Sequence, residues 1–397
     1  MDNAFKRFIQ GHFFMDSLIC EITERIVSAS AARKPLRIRA GGSKDFYGES
    51  LQGELLDLSA LSGIISYEPS ELVVTVRAGT PLTELKAALA ERGQCLAFEP
   101  PHFGSPGASA TCGGMVAAGL SGPSRASVGA VRDYVLGVKL LNGRGELLTF
   151  GGQMIKNVAG YDVSRLMVGA LGTLGVLTEI SLKVLSTSAA EATLMCSGLK
   201  QQTALDLLNR WGGQPLPLNA SCWLFDATAS PARDYLFVRL RGAAAAVEAA
   251  CPRLMADVQA ADGAAVAMDN AQTAADWDAC RDQTLPFFKP PAPELGLWRL
   301  SVPQTAPVLE LPYAQLIEWH GGQRWLWAPL AARQQLAQTA ASVGGHLTLF
   351  RAPLESADLS LRRFTPLNAT LGGIHQRLKA EFDPAGIFNR GRIYPDF

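Results

Sequence analysis

Apolar residues recur at helical spacing near the start of the chain. Ile19, Ile22, Ile26 and Val27 share one face, which predicts a helix over 17–32 ended by Pro35. The segment 36–40 (LRIRA) alternates as a strand does, and 54–61 and 72–79 read as two more. Thr80 is expected to cap a helix with Pro81 in its first turn. Leu82, Leu85 and Leu89 form the buried stripe of that helix, Glu84, Lys86 and Glu91 its wet face, and Gly93 its stop. Residues 134–152 read as a hairpin turning at Asn142-Gly143. A short helix over 163–168 and a long strand reaching 185 follow.

Beyond about residue 188 the pattern changes. Strand-like runs at 192–196, 222–225, 235–240, 297–302, 324–328 and 346–350 alternate with alanine-rich helices at 202–211, 243–260 and 330–342. This predicts an α+β unit with antiparallel strands. Residues 285–294 are a proline-rich link, and the turn at 383–386 suggests a tail that is tied down.

Two stretches break the periodicity. Residues 100–129 hold glycines at 104, 107, 113, 114, 119, 122 and 129, too many for the interior of a helix or strand. A bare backbone of this kind offers N–H groups to a phosphate or to the edge of a flat polar ring. The second stretch is Gly41-Gly42, in a turn at the end of a strand. No helix follows it, so it is not a dinucleotide fingerprint of the Rossmann type. By itself the turn fits either a pyrophosphate wrap or an ordinary β-turn.

Composition narrows the function classes. The 397 residues allow two domains. Lys+Arg and Asp+Glu are both 36, so the basic excess of a nucleic-acid binder is missing and no nucleic-acid partner is expected. The seven cysteines are scattered without ligand spacing, which indicates neither an iron–sulfur cluster nor zinc and suits a reducing cytoplasm. No run of about 18 apolar residues is present. The cleaner amphipathic pattern begins at Met15, so the first fourteen residues are expected to precede the natural start.

Four segments stand in order: RAGGSKDFYG, VRAGTPLTELKAAL, the glycine-rich stretch, and KNVAGYD…GTLGVLTE. Together, over roughly 30–185, they resemble the FAD-binding domain of the vanillyl-alcohol oxidase and p-cresol methylhydroxylase (PCMH) superfamily. KNVAGYDVSRLMVGALGTLGV and the FDPAGIFNRGR tail resemble its glycolate oxidase and D-lactate dehydrogenase branch. The short length, WRLSVP and EWHGGQRW resemble the flavin subunits of bacterial glycolate oxidases. The resemblance implies an α+β fold: a two-subdomain PCMH-type FAD-binding domain over 31–187, then an α+β cap with an antiparallel sheet over 188–375. A tail over 376–397 would return to the FAD domain, and residues 1–30 would be an extension and first helix.

Carried over by residue, the resemblance implies that Ala40, Gly41, Gly42, Ser43, Lys44 and Asp45 hold the pyrophosphate. Pro100, Gly107, Ala108, Thr111, Gly113 and Gly114 would line the pyrophosphate and flavin region. Ser121, Gly122, Gly172, Thr173, Gly175, Val176, Asn389 and Arg390 would complete the site. Relatives with covalent flavin often carry histidine where this chain has Ser43, so non-covalent FAD is expected. Catalytic members of the branch carry a histidine-rich, metal-associated cap segment. The five histidines here (12, 102, 320, 346 and 375) are too dispersed for one, and no metal site is expected.

Hydroxy-acid oxidation needs a cation for the carboxylate and a base for the hydroxyl. Arg281, Arg299, Arg324 and Arg351 are the candidate cations, and His320 and His346 the candidate bases. Each is also a residue type common in structural roles. Trp319, Trp325 and Trp327 are expected in packing, and Cys112 as a small residue beside the flavin. The implied function is an FAD subunit of a multi-subunit glycolate oxidase. It would act on glycolate or D-lactate with a second FAD-binding subunit and an iron–sulfur subunit, in the cytoplasm, and touch a membrane only through that complex. A flavin-bearing assembly subunit and a self-sufficient FAD oxidoreductase remain as alternatives.

Overall fold

The computed structural model describes residues 2–105, 107–152, 162–227, 232–354, 361–395 and 397, with side chains from Met15 onward. The KNVAGY turn (156–161) lies outside the described residues.

Helix α1 (Asp2–Ala32) extends the expected first helix towards the start. Its buried Ile22 and Ile26 pack on strands β1 (Leu36–Arg39) and β2 (Glu54–Asp57), which pair in parallel. A five-stranded antiparallel sheet follows. Its order is β3-β4-β8-β6-β7, from β3 (Ile64–Glu68), β4 (Val73–Arg77), β6 (Val135–Leu141), β7 (Leu147–Gly151) and β8 (Val176–Lys183). Strands β5 (Gln94–Cys95) and β9 (Leu185–Ser186) pair beside it. Helix α2 (Leu82–Ala90) lays Leu82, Leu85 and Leu89 on this sheet, all 0% exposed. Each such leucine contributes about 1.5–3 kcal/mol.

Two local expectations fail. Thr80 does not cap α2: its hydroxyl donates to the Arg77 carbonyl at 2.7 Å and accepts from the Gly63 amide at 3.0 Å, and Pro81 sits at the cap. The glycine-rich stretch is not loop throughout. It contains α3 (Cys112–Ala118), capped by Thr111, and α4 (Arg125–Val128). The glycine serves contact here, since a Cβ on Gly113 would lie 2.8 Å from the Ala78 carbonyl.

Strands β10 (Ala190–Ser197), β11 (Leu218–Asp226), β12 (Arg233–Gly242), β13 (Ala264–Ala267), β14 (Leu295–Ser301), β15 (Gln315–Glu318), β16 (Gln323–Pro329) and β17 (His346–Arg351) form an eight-stranded sheet. Its order is β13-β10-β12-β11-β15-β16-β14-β17, and every pairing is antiparallel. Helices α5 (Gln201–Gly212), α6 (Ala244–Gln259) and α8 (Arg333–Ser342) cover one face. The opposite face carries Cys222, Leu297, Leu316, Trp325 and Phe350. It meets α7 (Asn270–Arg281) together with Tyr47, Ala118, Leu120 and Leu171 from the first half of the chain. Helix α9 (Ala369–Phe382) leads the tail back to β1, where Leu36 donates to the Ile387 carbonyl and Asn389 to that of Leu36.

Candidate functional site

The first cleft lies where the Gly41-Gly42 turn, the start of α3, the turn before β8 and the tail converge. Its empty space, open mouth included, is about 790 Å³. The turn needs its glycines. A Cβ on Gly41 would lie 1.9 Å from the Ser109 carbonyl, and Gly42 has φ +73°. The tail locks the turn: Arg392 donates to the carbonyls of Asp45 (2.8 Å), Lys44, Tyr47 and Glu49. Asn389 accepts from the Ile38 amide at 2.8 Å and donates to the Leu171 carbonyl at 2.6 Å.

Of the expected cofactor residues, Ala40–Asp45, Thr111, Gly113, Gly114, Gly172, Gly175 and Asn389 line this cleft. Pro100, Gly107, Ala108, Thr173, Val176 and Arg390 are not among its lining. Thr173 instead holds its turn by donating to the Ala170 carbonyl at 2.7 Å, and Val176 is 0% exposed in the core. Arg390 is exposed and donates to the Gly386 carbonyl, whereas Arg392, two residues on, lines the cleft. Sequence reasoning also missed Arg39, whose Nε lies 2.7 Å from Asp45.

The lining fits FAD in chemical character. Arg39, Lys44 and Arg392 stand against one carboxylate, Asp45, as a pyrophosphate requires. Ile38, Leu58, Ala78, Ala117, Leu171 and Leu177 supply apolar walls for flat rings. Burial lowers the Lys44 ammonium to about 8, which makes a nearby anion favourable.

A second cavity, about 320 Å³ of empty space with its open mouth included, lies between Pro101, Phe103 and Leu120–Pro123 on one side and the eight-stranded sheet with α7 on the other. Phe103 lines this second cavity and borders the first cleft through Lys44. Lys44 of the first cleft lies 5.7 Å from its ring, and Phe46 and Phe350 pack on it. Ser121 and Gly122 line this cavity rather than the first.

Of the four candidate arginines, two line this cavity. Arg299 donates to Tyr47 Oη at 3.2 Å, leaves a buried Nε without a partner, and has no carboxylate partner among the described residues. Arg281 is held by Asp282 at 2.6 Å and by Asp278. Arg351 lies beside the cavity, 3.9 Å over the Phe46 ring, and donates to Gln283.

His320 is not brought into the cavity. It is buried at the seam, with Nδ1 2.9 Å from Ser221 Oγ and Nε2 3.0 Å from Ser127 Oγ, and burial lowers it to about 4. His346 is exposed, and Arg324 is buried on the far face, donating to the Ala306 carbonyl. Trp325 does more than pack, since it lines the cavity. Cys112 is buried, with its thiol pushed up to about 12. Among the described residues no histidine, cysteine or carboxylate group is arranged to hold a metal, and no helix is long and apolar enough to cross a membrane.

Glu99 joins the two halves. Its carboxylate accepts from Arg239 at 2.7 and 2.8 Å, from Arg241 at 2.6 Å and from the Ser124 amide at 3.2 Å. Glu99, Phe103, Trp319, His320 and Asn389 all have positive φ, so backbone strain gathers around the site.

Fold and clefts together define a PCMH-type FAD-binding protein. A family model described as an FAD binding domain matches residues 19–151, and the cofactor is FAD. Glycolate oxidase subunit GlcE of Escherichia coli (strain K12) is 42% identical over 375 residues, 94% of this chain and 97% of that protein. The chain belongs to the GlcE family. Glycolate oxidase subunit GlcD of Bacillus subtilis (strain 168) is 30% identical over 44% of this chain and 37% of its own length. A solved alkyldihydroxyacetonephosphate synthase shares the fold, with a TM-score of 0.65 at 13% identity over 93% of this chain and 74% of that one.

Proposed function

We propose that this chain is the FAD-carrying E-type subunit of a multi-subunit glycolate oxidase. In this reading a 2-hydroxy acid such as glycolate or D-lactate is oxidised to the 2-oxo acid by the assembly. A second FAD-binding subunit shares the work, and electrons leave through an iron–sulfur subunit, at the cytoplasmic face of a membrane. The observation that carries the reading is the near full-length similarity to GlcE. It is supported by a glycine-built cleft beside a small cavity that presents an unpaired arginine.

FAD bound in the first cleft supplies a two-electron acceptor. The chain's own residues supply position and charge. Arg39, Lys44 and Arg392 would neutralise the pyrophosphate, and the Gly41-Gly42 turn would let its backbone approach. Ser43, where covalent relatives carry histidine, supports a non-covalent cofactor. Arg299 would take the substrate carboxylate, with Arg351 behind the aromatic wall. The division at 31–187, 188–375 and 376–397 belongs to the same reading.

Co-expression with the partner subunits tests it. A stable complex that oxidises glycolate with an artificial acceptor is expected, while the chain alone is slow or inactive. Full glycolate turnover by the isolated chain overturns the shared-work reading.

A further inference from the structure

The second cavity holds an acid that no motif announces. Glu318 ends β15 and is 4% exposed. Its Oε2 accepts from Trp325 Nε1 at 2.6 Å and from Gln323 Nε2 at 3.0 Å. Among the described residues, Oε1 accepts only from the Cys280 thiol, at 3.3 Å. A thiol is a weak donor and each carboxylate oxygen offers two lone pairs, so Oε1 keeps capacity for a further donor. No cation forms an ion pair with Glu318 among the described residues.

Four titratable side chains line the cavity: Cys280, Arg281, Glu318 and Arg299. The arginines cannot accept a proton. Cys280 is pushed well above the usual thiol range, first by hydrogen bonding to Cys222 and then by burial. Cys222 itself faces Glu318 across the β11–β15 pairing, and the charge of Glu99 acts on Glu318 from further off. His320 is turned away, with both ring nitrogens taken by serines.

We propose that Glu318 is the proton acceptor for the hydroxyl of the 2-hydroxy acid, working opposite Arg299 on the carboxylate. This rests on the reading of the chain as a glycolate oxidase subunit. In the step, the hydroxyl O–H bond breaks and its proton passes to Glu318 Oε1. The electron pair left on oxygen becomes the second C–O bond of the 2-oxo acid. The carbinol C–H bond breaks with its pair, which leaves as hydride to FAD, the oxidant of the established family. Burial raises the carboxyl above the usual carboxylate range, which moves it towards the working pH of a general base.

Two readouts test the assignment. Trp325 donates directly to Glu318, so its fluorescence should report the carboxyl's ionisation as a titration step above the ordinary carboxylate range. The step should vanish in Glu318→Gln and persist, shifted, in Glu318→Asp. This measurement needs no flavin, so it fails separately from the cofactor reading. In the assembled oxidase, anaerobic flavin reduction by glycolate should fall about 10²–10⁴-fold in Glu318→Gln and lose its dependence on the same titration. Binding of oxalate, a two-carbon anion with no proton to give, should stay within a few-fold of wild type. Unchanged reduction in Glu318→Gln overturns the proposal. So does an equal loss of oxalate binding and rate with the pH profile intact, the mark of a purely structural residue.

Discussion

Arg392 Nη2 lies 2.8 Å from the Asp45 carbonyl and ties the end of the chain to the turn that faces the first cleft. The same guanidinium serves the carbonyls of Lys44, Tyr47 and Glu49, so it shapes the turn as well as adding charge. Replacing Arg392 with Ala removes several charged hydrogen bonds, each worth about 1.5–3 kcal/mol. The FAD Kd, measured by flavin fluorescence, should rise at least about tenfold, the equivalent of ~1.4 kcal/mol. An unchanged Kd would contradict the tail's role.

Gly42 sits at φ +73°, and a Cβ there would lie 2.0 Å from Arg39 Nη2. Gly42→Leu should therefore lose FAD while the far-UV circular dichroism stays close to wild type. Normal FAD content in this variant would place the pyrophosphate elsewhere.

The Glu99–Arg239 pair holds the two halves together, and Arg239 is 1% exposed. Removing one partner of a buried pair costs about 3–5 kcal/mol, so Glu99→Ala should lower the denaturant midpoint sharply. Arg239 and Arg241 hold the Glu99 carboxyl below its usual range, against the opposing effect of burial. A depressed acid contributes stability above its unfolded pKa that is lost as pH falls through the folded one. Wild type should therefore lose stability below about pH 4.5 more steeply than Glu99→Gln does.

His320 is held neutral by burial, with a folded value of about 4 against 6.5 when free. Between those values the unfolded chain binds a proton that the folded chain refuses, so stability falls as pH drops from 6.5 towards 4. The loss is about 3 kcal/mol. His320→Asn should flatten unfolding free energy across that window. An unaltered slope would show that the imidazole titrates freely.

Much of the fold could be read from the sequence because its signals are local. The Leu82, Leu85 and Leu89 stripe, the Asn142-Gly143 hairpin and the glycine turn at 41–42 each carry their own periodicity or backbone demand. The elements that escaped lack one. Strand β13 is AAVA, largely exposed at a sheet edge, and β15 is QLIE, buried at all four positions and so without alternation. Helix α7 buries only Thr273, Trp277 and Cys280, although Asp269 caps it. Site residues split in the same way. The glycines were visible because φ and close approach demand them. Arg392 and Glu318 stand out only by their contacts with partners such as Asp45 and Trp325, which the tertiary fold alone brings near.

The flavin content of the purified chain tests the central claim most directly. Stoichiometric FAD, released entirely into the supernatant on acid precipitation, is the predicted result. A colourless chain that takes up no added FAD would contradict the account, and yellow colour retained in the protein pellet would contradict its non-covalent part.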